Sequence, residues 1–406
     1  METIIDLKSL LSGLSFCLDF GREGLQRHHQ RVAYIGLSIA GELCLSEEEK
    51  DGILIAALVH DAGVSTWCEK DALHTFEVTE PWDHCERGYN LLLNAELLKP
   101  VARIILYHHD RYDGMNKSGL TGNNIPLASR VIHIADRIDI LIKNNRPILL
   151  QNERILDSIE SLAGQHFDPE IVSAFKNLAR RESFWLDLSS PFFLYRQIDT
   201  GTAANVLVND QDMREITGMF AAVIDRKSPF TYRHSSIVAA VAVRIAAAMD
   251  FTGEELLSME IAGLMHDLGK LSIPDSILEK PGPLTDEEYR IIRQHTYYTY
   301  RILREAGVPA PIPEWAAYHH EKLDGSGYPF HLSGPDLSLG ARIMAVADVF
   351  TALREDRPYR SGMNKKKILD IMNKMSATNA LDPVVVKKLF EIYQDVDALF
   401  IDLKES

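Results

Sequence analysis

Apolar residues recur at three- and four-residue steps through "QRVAYIGLSIAGELCLSEEEKDGILIAALVHDAG", residues 30–63. That spacing puts them on one face of a helix and predicts a pair of helices joined near residue 45. Ser46 is placed to cap the second helix, and Glu47, Glu48 and Glu49 put negative charge where the exposed amides of its first turn favour it. The stretch 234–270, "HSSIVAAVAVRIAAAMDFTGEELLSMEIAGLMHDLGK", repeats the design, with Thr252 as the cap and Glu254 and Glu255 in the first turn. Alternating patterns are nearly absent. "NVLVND" at 205–210 is the best short strand candidate, and it predicts no sheet. The fold class expected is all-α.

The two patterned stretches belong to a longer internal repeat. His28 matches His234, and His60-Asp61 matches His266-Asp267, at an offset of 206. His84 matches His295, His108-His109 matches His319-His320, and Asp113 matches Asp324, at an offset of 211. Asp136 matches Asp348 at 212. Small jumps in the offset are what loop insertions between helices produce. Ten of the fifteen histidines fall in these pairs, far more than chance would place. Two tandem helical-bundle domains related by duplication are therefore expected. The segment 189–210, "SSPFFLYRQIDTGTAANVLVND", interrupts the helical period. It sets the expected boundary near 200, with one domain over 1–200 and the other over 201–406.

Composition narrows the function classes. A chain of 406 residues has room for two cores. Its net charge of −15 argues against a broad grip on DNA or RNA. Bound cations would reverse that sign locally and let an acidic protein hold an anionic substrate. No apolar run reaches the roughly 18 residues of a membrane span. The nearest, "AAVAVRIAAAM", is short and is broken by Arg244. The N-terminus has no basic region leading into an apolar one, so a secretory signal is not expected. Cys17, Cys44, Cys68 and Cys85 lack C-x-x-C spacing and read as reduced thiols of a cytoplasmic protein.

In the second half, His234, His266, Asp267, His295, His319, His320 and Asp348 form a set of imidazoles and carboxylates spread over helical segments. Such donors suit iron, manganese or zinc, whereas magnesium and calcium prefer oxygen alone. Seven exceed the needs of one four-coordinate ion. Two ions sharing a carboxylate account for the number better. Neighbouring helical residues point about 100° apart, which lets His266 hold one ion while Asp267 reaches between both. Paired ions are suited to hydrolysing phosphate esters, because they activate water and clamp phosphoryl oxygens.

"HDLGK", "HHEKLDGSGYP" and "ADVFTALREDRPYR" resemble the HD-GYP phosphodiesterases, a subgroup of the HD-domain metal-dependent phosphohydrolases. The resemblance covers about residues 210–400. It implies hydrolysis of a cyclic dinucleotide, chiefly cyclic di-GMP, to the linear dinucleotide and onward to GMP, at a centre of iron or manganese. It makes His234, His266, Asp267, His295, His319, His320 and Asp348 the metal ligands, with Asp267 bridging and catalytic. Lys270 is implied to face the scissile phosphate as a second catalytic group, and Arg357 and Arg360 to grip phosphates. Gly325, Gly327, Tyr328 and Pro329 read as a tight turn with one projecting aromatic. The resemblance puts that loop at the border of the substrate site and links it to protein partners of the signalling, GGDEF type. The alternative that Tyr328 only packs stays open. Some members of the family hold a third ion with a glutamate four residues before the first histidine. Phe230 stands there in this chain, so two ions are expected.

The first half keeps His28, His60, Asp61, His84, His108, His109 and Asp136, a full nominal ligand set. Val64 stands where Lys270 falls, and the Asp-Gly segment runs on as "DGMNKSGLTG" instead of Gly-Tyr-Pro. A metal-capable domain without the substrate-specific features is expected. It would regulate the second half, bind another nucleotide or hydrolyse something simpler; a scaffold with residual histidines is the plain alternative. For the whole chain, cyclic di-GMP ranks first as substrate and cyclic GMP-AMP second. A phosphohydrolase acting on guanosine tetraphosphate and a non-hydrolysing signalling adaptor are the competing classes.

Overall fold

A computed structural model describes residues 5–21, 24–64, 66–73, 75–76, 81–191, 206–227, 233–356 and 361–405. The chain divides into two compact units, Ile5–Leu207 and Val208–Ser406. Both are helical. Among the described residues the strands are only two residues long, such as the hairpin in which Phe20 pairs with Leu25 and Gly21 with Gly24. The segment "NVLVND" contributes the two-residue strand Leu207–Val208.

The first unit contains α1 (Leu7–Leu18), α2 (His28–Glu42), α3 (Glu47–Val59), α4 (Trp67–Leu73), α5 (Trp82–Leu92), α6 (Lys99–Leu106), α7 (Leu127–Leu141), α8 (Asn152–Glu160), α9 (Pro169–Ala179) and α10 (Glu182–Ser189). α2 packs on α3 and α7, and α5 on α6. Ile35, Ile39, Ile53 and Leu54 are fully buried where α2 meets α3. Ser46 caps α3 as expected: its hydroxyl accepts the Glu49 N–H at 3.3 Å, and the Glu49 carboxylate accepts the Ser46 N–H at 2.9 Å.

The second unit contains α11 (Asp210–Arg226), α12 (His234–Ala248), α13 (Gly253–Met265), α14 (Asp275–Leu278), α15 (Asp286–Glu305), α16 (Ile312–Ala317), α17 (Leu339–Arg354), α18 (Lys365–Ala377), α19 (Pro383–Glu391) and α20 (Tyr393–Glu405). α12 is central and packs on both α13 and α17. Its run of alanines and valines is explained by the crossing with α13. A Cβ on Gly263 would lie 2.4 Å from the Ala239 Cα, so only the smallest side chains allow the two helices to approach this closely. The Thr252 N–H donates to the Glu255 carboxylate at 3.2 Å and fixes the start of α13. This crossing brings the ends of α12 and α13 together, and those ends bear His234 and His266.

The four cysteines are free, with Cys17 and Cys85 buried and Cys44 and Cys68 exposed. No helix among the described residues is long and apolar enough to cross a membrane.

Candidate metal centre

The His-Asp dipeptide of the second unit lies at the end of a helix, not inside one. His266 closes α13 with helical angles, φ −57° and ψ −33°. Asp267 starts a tighter 3-10 turn, Leu268–Ser272, in which the Lys270 N–H donates to the Asp267 carbonyl at 2.8 Å. Side chains three apart eclipse in such a turn. Lys270 therefore stands directly over Asp267, and its ammonium donates to Asp267 Oδ2. Gly269 lets this turn press against α15: its N–H donates to Thr299 Oγ1 at 3.0 Å, and the Thr299 hydroxyl donates to the His266 carbonyl at 3.1 Å.

Three rings have their tautomer set by the backbone. The Nδ1 atoms of His266, His295 and His319 lie 2.7, 2.6 and 2.7 Å from the carbonyls of Gly263, Ile292 and Ala316. A carbonyl only accepts, so each Nδ1 carries the proton and each Nε2 of a neutral ring is a bare lone pair. Burial keeps the His295 and His319 rings neutral, pushing His295 down to about 3 and His319 well below the usual histidine range. The His295 and His319 Nε2 atoms nevertheless face each other at 3.3 Å, and the buried His266 Nε2 has no hydrogen-bond partner among the described residues. Converging acceptors with no donor between them fit a cation.

Asp267 reaches both groups of rings. Its Oδ2 lies 3.2 Å from His266 Nε2 and 3.9 Å from His234 Nε2, while its Oδ1 lies 3.6 Å from His295 Nε2 and 3.9 Å from His319 Nε2. Asp348, from α17, adds Oδ1 at 3.5 Å from His234 Nε2. Two ligand groups result, His234–His266–Asp348 and His295–His319–His320, each with donor atoms within 4.8 Å of one another. Burial alone would raise the Asp267 carboxyl, but His266 and Lys270 outweigh it and hold the group well below the usual carboxylate range.

The Gly-Tyr-Pro loop folds over this centre. Gly325 has φ +76°, the left-handed region that favours glycine. A Cβ on Gly327 would meet the Glu321 Cα at 2.4 Å, because the loop lies directly on the His319-His320 turn. Of the two readings open for Tyr328, projecting from the turn or packing, the ring packs. Tyr328 and not solvent covers this side: its ring is buried, 4.9 Å from the His320 ring, and the Arg293 guanidinium lies 5.2 Å from its centroid. Glu321 sets the loop by accepting the Phe330 and Leu332 N–H groups at 2.7 and 3.0 Å. Pro329 follows Tyr328 directly in that loop. Arg357, Arg360 and Phe230 lie outside the described residues.

The first unit repeats the arrangement. His60 and His108 donate from Nδ1 to the Ala57 and Ile105 carbonyls at 2.8 and 2.7 Å. Nε2 atoms face each other in two pairs, His28–His60 at 3.1 Å and His84–His108 at 3.3 Å. Asp61 lies between them, with Oδ2 3.6 Å from His60 Nε2 and Oδ1 3.5 Å from His84 Nε2. Asp136 Oδ1 is 3.4 Å from His28 Nε2, and its Oδ2 is 4.0 Å from His109 Nε2. Val64 closes the same turn as Lys270, its N–H donating to the Asp61 carbonyl at 2.9 Å. The cation here is a different residue. Arg137 donates from Nε and Nη2 to Asp136 Oδ2 at 3.1 and 2.5 Å and from Nη1 to the Thr75 carbonyl at 2.6 Å.

Four residues with a part in these centres escaped the sequence reading: Arg31, Arg137, Asp139 and Glu355. Asp139 accepts from His28 Nδ1 at 2.7 Å and is held by Arg31. Glu355 accepts from His234 Nδ1 at 3.0 Å. None of them falls in a matched pair, so the repeat gave no signal for them.

Two helical bundles, each gathering buried histidines and aspartates that could hold metal ions, define a protein with tandem domains of one type. The chain belongs to the HD domain family, whose profile matches residues 17–171 and again 218–385. Along most of its length it is similar to the 3'3'-cGAMP-specific phosphodiesterase 1 of Vibrio cholerae. The two are 32% identical over 394 residues, covering 90% of this chain and 88% of that one. A cyclic di-GMP phosphodiesterase of Pseudomonas aeruginosa is 36% identical over 171 residues, 41% of each chain. The crystal structure of a cyclic GMP-AMP-specific phosphodiesterase of V. cholerae matches with a TM-score of 0.70 and 26% identity, over 96% of this chain and 98% of that one.

Proposed function

We propose that this chain hydrolyses 3',3'-cyclic GMP-AMP to a linear dinucleotide and that the reaction takes place in the second unit. The chain is a cyclic-dinucleotide phosphodiesterase of the HD domain family. The observation that supports the location best is Asp267, whose two oxygens address the two ligand groups separately. In this reading His234, His266 and Asp348 would hold one divalent ion and His295, His319 and His320 another, with Asp267 placed to serve both. The mixed imidazole and carboxylate donors favour iron or manganese. Bound divalent ions at such a centre supply Lewis acidity toward phosphoryl oxygens and lower the pKa of water.

The protein's own groups do the rest. Lys270, held over Asp267 by the 3-10 turn and about a quarter exposed, offers its ammonium to the scissile phosphate. Arg357 and Arg360 grip phosphate charge, which two-pronged guanidinium donors suit. Tyr328 and the loop of Gly325, Gly327 and Pro329 close the His320 side against water. The first unit holds metal through His28, His60, Asp61, His84, His108, His109 and Asp136 and regulates the second. Val64 there offers no ammonium to a phosphate.

The substrate choice rests on a relative that matches both halves and is named for cyclic GMP-AMP. Cyclic di-GMP is the second reading, because a phosphodiesterase named for it matches over 41% of this chain at 36% identity. Competition decides between them. Equimolar cyclic GMP-AMP and cyclic di-GMP, incubated with the full chain and Mn²⁺, would be followed by ion-exchange chromatography. Roughly tenfold faster loss of cyclic GMP-AMP is expected; a discrimination of that size needs about 1.4 kcal/mol between the two bases. Equal loss, or faster loss of cyclic di-GMP, would overturn the choice.

A further inference from the structure

Both units direct a ligand histidine with a carboxylate, but they take that carboxylate from different places. In the first unit Asp139 lies three residues after Asp136, in the last turn of α7. It accepts from His28 Nδ1 at 2.7 Å while Arg31 clamps both its oxygens, with Nη2 3.0 Å from Oδ2. At the offset of 212 the position of Asp139 is occupied by Thr351, which is buried with its hydroxyl unpaired among the described residues. At the offset of 206 the position of Arg31 is occupied by Ile237. The second unit has lost the whole clamp.

Glu355 fills the gap from the far end of the helix. It is the residue that closes α17, seven positions after Asp348, with its N–H on the Thr351 carbonyl at 2.9 Å. Its carboxylate accepts from His234 Nδ1 at 3.0 Å and has no other hydrogen-bond partner among the described residues. The pair is mostly buried, with side-chain exposures of 5% for His234 and 14% for Glu355.

We propose that Glu355 is the positioning residue for His234, and that it sets the affinity of the second unit for its metal. By accepting the Nδ1 proton it leaves Nε2 bare and turned toward Asp348 and Asp267. This rests on the metal-centre reading above. It also explains why His234, alone among the second unit's ring-fixed ligands, uses a side chain and not its own helix: as the first residue of α12 it has no helical carbonyl behind it.

The test is a Mn²⁺ competition titration on the full chain against a chelating dye, without substrate. Mn²⁺ held by wild type but not by Asp267→Asn is the second unit's signal. Glu355→Ala should weaken that class by roughly 10- to 100-fold. Glu355→Gln, which keeps an acceptor for the Nδ1 proton, should lose less. The metal-free melting temperature should stay at the wild-type value in both. A wild-type titration for Glu355→Ala overturns the proposal, and so does a loss of affinity matched by a loss of metal-free stability. Because no substrate is present, a wild type that hydrolyses no cyclic dinucleotide would sink the phosphodiesterase reading and leave this one standing.

Discussion

A Cβ built on Gly269 would lie 1.9 Å from the carbonyl oxygen of His295. The turn that presents Asp267 and Lys270 is thus pressed against the helix that presents His295, and the glycine two residues after the aspartate is a condition of the centre. The first unit has the same contact: a Cβ built on Gly63 would lie 1.9 Å from the His84 carbonyl oxygen.

Gly269→Ala should push the two ligand groups apart. Backbone atoms cannot yield as a flexible side chain does, so the loss of stability should reach the top of the about 1–3 kcal/mol typical of overpacking. Turnover should be lost with it. Gly63→Ala should destabilise the first unit in the same way. Thermal melts alongside a turnover assay check both, and an alanine variant with wild-type stability would mean the units are less tightly closed than described.

Lys270→Ala removes the ammonium that lies over Asp267 but takes away no metal donor. Turnover should fall about 10²- to 10³-fold, the usual cost of deleting one group that stabilises transition-state charge. Metal content should stay at the wild-type level. Loss of metal together with activity would recast Lys270 as a structural partner of Asp267.

The Arg31–Asp139–His28 cluster is buried, and its carboxylate is held well below the usual range by the Arg31 and His28 charges, which outweigh the effect of burial. Asp139→Asn leaves Arg31 without its counter-charge. Breaking one partner of a buried pair typically costs about 3–5 kcal/mol. The first unit should therefore melt well below the second, visible as a split or lowered transition by calorimetry. An unchanged melt would show that solvent satisfies Arg31 without Asp139.

Tyr328→Phe keeps the ring against His320 and should leave turnover close to wild type. Tyr328→Ala opens a void of the kind that costs about 3–5 kcal/mol for large aromatics and should lower turnover by loosening the His319-His320 turn. If the phenylalanine variant falls as far as the alanine variant, the hydroxyl acts on the substrate and packing is not the reason for the loop.

What could be read from the chain follows the physics of repetition. His266, Asp267 and their partners were legible because a duplicated centre preserves donor type and spacing, and α3 and α13 because capping and helical period are local. Asp139 and Glu355 were not legible. Each meets its histidine only through the packing of distant helices, 111 and 121 residues apart in the chain. The two units also solved the same need with different residues, which removes the repeat as a guide. The His-Asp dipeptide was expected within a helix. It closes one, because Gly269 and Gly63 allow a turn there that no helix could make. Whether Tyr328 projects or packs was not legible in the sequence, and the close seat of Gly327 on Glu321 goes with a buried ring.

The most direct test of the account compares wild type, Asp61→Asn and Asp267→Asn as full chains with cyclic GMP-AMP. Each would be stripped with chelator, reloaded with Mn²⁺ or anaerobic Fe²⁺, and assayed by chromatography of the linear product. Stripped wild type should be inactive and reloading should restore it. Asp267→Asn should remain inactive after reloading, while Asp61→Asn should still form product. Product from Asp267→Asn, or its loss in Asp61→Asn alone, would place the chemistry in the first unit and contradict the account.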